Sequence, residues 1–200
     1  MGIMKITALK AGSVLLLGLA VAMGGCSKDA KTPKEAVINL AKAIEKNDKS
    51  LFLATVNIKD EDKDAAGQLF DAMITAIDFQ KSLEKTYGKD ALKSVGSGPA
   101  DDVPAADKVE KGTVKEDGDK AKVTPADSKT GIDTIKINGI WKVKFDDIGA
   151  GDTKAQNIKM AQAMKKAIDA TKGDIGKPGM TAEKLLANMQ KAMKDNMMAK

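Results

Sequence analysis

The chain has 200 residues and a formal net charge of +5, and its composition excludes several classes of protein. All 33 basic residues are Lys and six residues are aromatic, so bidentate phosphate recognition and base stacking have few groups to use, which argues against a nucleic-acid partner. His is absent and Cys26 is the only cysteine, which excludes Ser-His-Asp and Cys-His catalysis, Cys/His zinc sites and disulfides within the chain.

The N-terminal residues have the layout of an export signal. Two lysines, Lys5 and Lys10, precede an uncharged apolar run of 13 residues, Ala11 to Met23. A secretory signal has an apolar region of roughly 7 to 15 residues, whereas a membrane-spanning helix needs roughly 20. The run is followed by Gly24-Gly25-Cys26-Ser27. This pattern resembles a bacterial lipoprotein signal, in which cleavage before a cysteine accompanies lipidation of its thiol.

The resemblance implies a signal peptide over residues 1–25, a lipidated Cys26 and a lipidated tether over residues 26–31. Met23 stands where this class usually has Leu, which is a change of similar size and polarity. Ser27 after the cysteine, rather than Asp, resembles lipoproteins that are retained in the outer membrane and face the periplasm. The alternative is a plain secretory signal with an incidental cysteine.

Three helices are predicted next. Thr32-Pro33-Lys34-Glu35 supplies an N-cap, a proline at the first helical position and a glutamate three residues after the cap. Apolar residues then recur at helical spacing until Asn47-Asp48. A short second helix is predicted over 50–56. The acidic residues of Asp60–Asp64 favour the start of a third helix, which is predicted to end at Gly88.

After a predicted loop over Gly96–Asp107, the apolar period changes from helical to alternating. The turn signals Asp117-Gly118 and Asn138-Gly139 each lie between two alternating segments, which predicts two β-hairpins. Their four strands are predicted over Lys108–Glu116 and Lys120–Thr124, and over Ile132–Ile137 and Ile140–Phe145.

The register of the second hairpin has two possibilities. A two-residue turn pairs Ile137 with Ile140 and leaves Ile135 on the face away from Trp141. A three-residue turn with Gly139 in the left-handed conformation and a bulge places Ile135 beside Trp141 instead. We expect the second register, because it collects more of the apolar residues on one face.

Two further helices are predicted at the C-terminal end. Thr153–Gln156 resembles a capping box, and the apolar spacing behind it ends near Gly173. After a Gly/Pro turn over Asp174–Gly179, Thr181 is predicted to cap the last helix. We expect the pair to form a helical hairpin within residues 151–200.

The order of helix, short helix, long helix, loop and antiparallel hairpins resembles the nuclear-transport-factor-2-like cone fold, in particular uncharacterised bacterial lipoproteins that carry this domain directly after the lipid anchor. The segments that carry the resemblance are Thr32–Val37, Glu45–Asp48 and Ile137–Val143. The resemblance implies an α+β domain over 32–150, with N-terminal helices on a curved, cone-like antiparallel sheet. Some relatives are isomerases or dehydratases and others only bind, so this fold does not fix a function.

One candidate acid–base site follows from the third predicted helix. Asp78 lies between Ile77 and Phe79, and Tyr87 is the only phenol. A carboxylate buried among apolar groups becomes a stronger base, which suits proton abstraction. The simpler interpretation is an Asp78 that faces water on an amphipathic helix and a Tyr87 that packs near the helix end.

Methionine and acidic residues suggest two metal sites, each with a simpler explanation. Seven of the 11 methionines follow residue 159, and two sets lie four residues apart on one helix face: Met160 and Met164, and Met189, Met193 and Met197. Thioethers select Cu(I), but Met is also an adaptable core filler and partner surface. The run Asp60–Asp64 lacks the glycine and terminal glutamate of a calcium-binding EF-hand, so helix-start charge explains it better.

The sequence therefore predicts a lipid-anchored α+β lipoprotein of the cell envelope that acts without catalysis as a binding or interaction module. Cys26 is the one assigned site residue, for lipidation, and no catalytic residue, cofactor or metal is assigned. The expected partners are the membrane, through the lipid, and an envelope protein or a small apolar ligand. The alternatives are an isomerase or dehydratase that uses the cone pocket, and a Met-based metal-handling lipoprotein.

Overall fold

A computed structural model describes residues 29–89, 104–145 and 152–198 of the chain, without the side chains of Asp152 and Thr153. The elements in chain order are α1 Pro33–Glu45, α2 Lys49–Thr55, β1 Val56–Asn57, a 3-10 turn Asp60–Asp62, α3 Lys63–Tyr87, α4 Ala106–Lys111, β2 Thr113–Asp117, β3 Lys120–Thr124, β4 Ile132–Ile137, β5 Ile140–Lys144, α5 Asp152–Thr171, a 3-10 turn Lys172–Asp174 and α6 Ala182–Met198. The α+β class is confirmed. The predicted signal peptide and Cys26 lie outside the described residues.

The sheet is mixed rather than purely antiparallel. Its strand order is β1-β5-β4-β3-β2, and the four strands from β2 to β5 are antiparallel as predicted. The two-residue strand β1, which the sequence did not reveal, pairs with β5 in parallel, with Val56 opposite Val143. Farther along the same edge, the Trp141 N–H donates a 2.9 Å hydrogen bond to the Ala30 carbonyl. The beginning of the described chain is therefore attached to the edge of the sheet.

Helix α1 begins where its cap predicts. The Glu35 N–H donates to Thr32 Oγ1 at 3.2 Å, and the Thr32 N–H donates to Glu35 Oε2 at 3.2 Å. These reciprocal bonds satisfy two backbone donors that a helix start leaves unpaired. The helix ends at Glu45, two residues before Asn47 takes a φ of 53°. Ala36 and Val37 on its inner side are fully buried, and α1 packs on β3, β4 and β5.

Two apolar clusters hold the described part of the chain together. The first lies between the sheet and helices α1 to α3 and includes Phe52, Phe70 and Trp141, whose exposures are 2%, 1% and 4%. The second lies between α3, α5 and α6 and includes Leu83 and Leu185. Because α3 is 25 residues long, its two halves contribute to different clusters.

The register predicted for the second hairpin is wrong. Ile137 pairs with Ile140, so the turn has two residues, and Asn138 and Gly139 have φ values of 51° and 81°. Positive φ at both positions is a type I′ turn, whose twist matches that of the strands, and Asn-Gly is the pair that best tolerates it. The turn geometry therefore overrides the gain from placing Ile135 on the buried face.

Two predictions for the segment before this hairpin also need correction. Residues 106–111 form helix α4, whereas a loop end and a strand were predicted there. In the first hairpin Asp117 pairs with Lys120, so the turn consists of Gly118 and Asp119 rather than Asp117 and Gly118. The remainder of the predicted loop, residues 96–103, lies outside the described residues.

The C-terminal helices begin and end close to the predicted positions. The Lys184 N–H donates to Thr181 Oγ1 at 3.3 Å, which confirms Thr181 as a cap. Gly176 and Gly179 in the preceding turn have φ values of 76°. The side chain of Thr153, in the other predicted cap, is not described. Helix α5 packs on both α3 and α6.

Thr55 provides a test of this packing. Its Oγ1 is buried and has no hydrogen-bond partner among the described residues. Because an unpaired buried hydroxyl is destabilising, Thr55→Val should raise the free energy of unfolding by about 1 kcal/mol, measured by urea unfolding. Thr134→Val is the matched control: Thr134 Oγ1 donates to the Ala121 carbonyl at 3.2 Å, so its loss should lower that free energy by about 1 kcal/mol. Equal destabilisation by both changes would contradict the assignment.

Candidate functional site

An apolar groove of about 440 Å³ lies between the end of β5 and helices α2, α3, α5 and α6. Its volume is within the range of roughly 300 to 1,000 Å³ that is usual for sites of small molecules. Its described lining consists of Phe52, Leu69, Phe70, Met73, Phe145, Asn157, Met160, Ala161, Met164 and Met193. We call this feature the apolar groove.

Three phenylalanines form the aromatic wall of the apolar groove. The ring centroids of Phe52 and Phe70 are 4.6 Å apart, and Phe145 meets Phe52 edge-on at 5.6 Å. Phe145 follows β5 and continues the alternation of Trp141 and Val143, which places it on the helix-covered face of the sheet. The rings of Phe52 and Phe70 are tilted by 30°, and such aromatic contacts favour defined ring positions, so this wall is preformed.

Methionines from three helices form the opposite part of the lining. Met73 lies on α3, Met160 and Met164 on α5, and Met193 on α6. The spacing of four residues that predicts a shared face for Met160 and Met164 is therefore confirmed. Met160 is 45% exposed and lies at the rim, whereas the other three are partly buried. Flexible thioether side chains allow such a surface to adapt to what it contacts.

The groove is held at its α5 side by polar contacts to the beginning of α3. Lys154 of α5 forms an ion pair with Asp62, and both side chains are less than a third exposed. Gln162 Nε2 donates to Gln68 Oε1 at 2.7 Å. Of the described residues that line the groove, Asn157 alone is polar, and it has a bonding partner of its own. The described lining thus carries no charge.

The residues predicted for acid–base chemistry lie elsewhere. Asp78 is exposed and does not line the groove. Tyr87 packs on the second apolar cluster, and its hydroxyl accepts a 2.9 Å hydrogen bond from the Gly176 N–H. Nine residues separate the two on α3, which puts them about 13 Å apart along the axis and on opposite sides of the helix. The structure does not bring Asp78 and Tyr87 together.

The acidic run at the start of α3 is engaged in ion pairs. Asp60 Oδ1 lies 2.6 Å from Lys63 Nζ, and Asp62 is paired with Lys154. The hydrogen bond and the positive charge of Lys63 lower the pKa of Asp60. Within residues 29–89, 104–145 and 152–198, no three His, Cys, Asp or Glu side chains are arranged to hold a metal ion.

The methionines of α6 do not all line the apolar groove. Met193 lines the apolar groove, but Met189 packs on the second apolar cluster beside Leu185 and Leu186. Met197 is half-buried and is not part of the described lining. The spacing of four did not reveal that Met189 and Met193 contact different features of the structure.

Sequence reasoning missed the groove as a unit. Phe145 and Met160 are 15 residues apart, and the segment between them gives no local signal that their side chains border one cavity. The same applies to Phe70, which lies 75 residues before Phe145 in the chain. The one available signal was the composition: the chain has few phenylalanines and is rich in methionine, and three of the four phenylalanines and four of the methionines line this groove.

Compared with known proteins, the chain matches no family description, and no curated protein or solved structure is significantly similar to it.

In the three described stretches, none of the helices has both the length and the apolar character that crossing a bilayer requires.

Proposed function

We propose that the protein is a lipid-anchored lipoprotein of the cell envelope that binds a small apolar ligand, without catalysis, in the apolar groove. The anchor is the acylated thiol of Cys26, and the location is the outer membrane facing the periplasm. In the same proposal the sheet curves as in the cone fold, and α5 and α6 form a helical hairpin that closes one side of the groove.

The observation that carries the ligand proposal is the lining of the groove. A cavity with aromatic and thioether walls and no charge in its described lining offers dispersion contacts and burial to an apolar molecule but no strong polar anchor. The core beneath it is already filled by Phe70 and Trp141, which are almost completely buried. Within the described residues, the groove is apolar surface that lies against this core.

The anchoring proposal is supported by the charge and length of the N-terminal run and by the small-small-Cys context of Cys26. Ala30, four residues after Cys26, is already bonded to β5. A body attached so soon after the cysteine suits a protein held close to a lipid surface.

The isomerase or dehydratase alternative has weaker support. The described lining of the groove contains no carboxylic acid, Lys or Tyr, and Asp78 is exposed to water on α3. General acid–base catalysis needs a titratable group within hydrogen-bond reach of the substrate. The binding proposal requires no such group.

Among the described residues, the exposed large apolar side chains are Met160, at 45%, and Met198, at 69%. Only Met160 lines the groove, so Met198 is a matched control for testing it. In a chain that begins at residue 26 and carries Cys26→Ser, Met160→Lys should raise the dissociation constant for the fluorescent probe N-phenyl-1-naphthylamine about tenfold, because a charge at the rim must be desolvated. Met198→Lys should leave it unchanged. Equal weakening by both, or no saturable binding to the parent chain, would contradict the proposal.

The anchor is tested with the whole chain expressed in bacteria that are fed labelled palmitate. The unchanged protein should incorporate label and sediment with the membranes, whereas Cys26→Ser should be unlabelled and leave the membrane pellet, because its hydroxyl is not acylated. Ser27→Ala is the control and should behave like the unchanged protein. Retention of the Cys26→Ser protein in the pellet to the same extent would refute the anchoring.

The presence of four methionines in the lining of one groove favours a second candidate function, binding of Cu(I). Met73, Met164 and Met193 come from three different helices and line one cavity, so they supply soft ligands from several directions. Binding of an apolar ligand depends on the apolar volume of these side chains, whereas coordination of a metal depends on their sulfur atoms. Methionine-to-leucine changes separate them, because Leu keeps the apolar volume and removes the sulfur.

Met164→Leu should weaken Cu(I) binding about tenfold or more in competition with a chromophoric chelator, while leaving probe binding intact. Met189→Leu is the control, since Met189, unlike Met164, is not part of the described lining of the groove. Failure of the unchanged protein to compete for Cu(I) at micromolar concentration would end this candidate and leave the apolar-ligand proposal standing.

A further inference from the structure

The face of the sheet opposite α1 carries a concentration of lysines. On strands β2 to β5, the side chains that alternate with the buried Val123, Trp141 and Val143 point away from α1 and are exposed or half-buried. We call this the open sheet face, and its lysines are Lys115, Lys120, Lys122, Lys142 and Lys144. Two acids, Asp117 and Asp133, lie on the same face. A hollow of about 350 Å³ opens on it.

The arrangement of these charges is unfavourable within the sheet itself. Lys115 lies directly opposite Lys122 on the neighbouring strand, and like charges in that position destabilise a sheet. Asp133 offsets part of this repulsion, because its Oδ1 lies 3.5 Å from Lys122 Nζ. Lys120 is also exposed and lies opposite Asp117 on the neighbouring strand. Lys142 Nζ donates to the Ala54 carbonyl at 2.9 Å, and Lys144 also has a partner. The lysines that an external negative surface would meet first are therefore Lys115, Lys120 and Lys122, which are exposed.

The open sheet face is also close to the proposed anchor. Ala30 is bonded to Trp141 at the edge of β5, and Cys26 lies four residues earlier. Four extended residues span at most about 14 Å, so an acylated Cys26 holds this edge of the sheet within that distance of the lipid headgroups. A tether this short limits how far the body can rotate away from the membrane.

We infer that the open sheet face docks on anionic phospholipid headgroups of the membrane that holds the anchor. The inference rests on the proposed lipidation and adds an orientation to it. Lys ammonium groups suit this partner, because they are attracted to headgroup phosphates as point charges without needing bidentate geometry. The partly buried side chains Ile135, Ile137 and Ile140 lie on the same face and supply apolar contact beside the charges.

The test places a fluorophore at two positions of the lipid-anchored protein. Cys26 is acylated, so a single Asp117→Cys on the open sheet face or Asp195→Cys on the exposed side of α6 can be labelled selectively with bimane; each change removes one acid. The labelled proteins are reconstituted in phosphatidylglycerol-containing vesicles that carry a headgroup nitroxide quencher. We expect the label at 117 to be quenched about twofold more than the label at 195, and the difference to disappear at high salt.

Two triple variants show whether the position of the lysines matters. Lys115→Gln, Lys120→Gln and Lys122→Gln together should abolish the difference in quenching. Lys159→Gln, Lys166→Gln and Lys191→Gln remove the same charge from exposed positions of α5 and α6 and should leave it unchanged. With the protein retained on the vesicles, equal quenching at both positions, or an equal effect of both triple variants, overturns the inference alone. Loss of the protein from the vesicles overturns the anchoring and the inference with it.

Discussion

The contact between Phe52 and Phe70 is the constraint on which most of the described structure depends. Their rings, 4.6 Å apart, connect the short helix α2 to the long helix α3, and the edge-on contact with Phe145 connects both to the end of β5. Since Phe52 and Phe70 are almost completely buried, they belong to the core. Since both also border the apolar groove, the shape of the groove is determined by the packing of the core.

This double use explains how an apolar groove can form in a chain with so few aromatic residues. The aromatic wall of the groove needs no residues beyond those that already hold the sheet and helices together, and methionines from α3, α5 and α6 complete it. The second apolar cluster holds α5 and α6 against the C-terminal half of α3, and the pair between Lys154 and Asp62 holds α5 at the other end of that helix. Helix α5, which borders the groove, is thus fixed at two points along α3.

The local parts of this fold were predictable and the long-range parts were not. The capping box of Thr32 and Glu35 correctly predicted the start of α1, and Gly88 correctly predicted the end of α3. Both signals are local, because they depend on residues only a few positions apart. Strand β1 has only two residues, which is too few to show the alternation of apolar and polar residues that predicts a strand. It pairs with β5, 87 positions later in the chain, and the packing of α2 brings the two together. The register at Asn138 and Gly139 was misjudged because burial was weighed above turn geometry, and the groove was missed because its walls come from distant segments.

The two margins of the sheet differ in a way that bears on the solubility of the protein. At one margin β1 and Ala30 occupy the hydrogen-bonding groups of β5, so little of that strand is left to recruit another chain. At the other, β2 is only five residues long and carries Lys115, Glu116 and Asp117 in succession. Short, highly charged outer strands disfavour intermolecular strand addition. Both edges of the sheet thus disfavour amyloid-like association between copies of the chain.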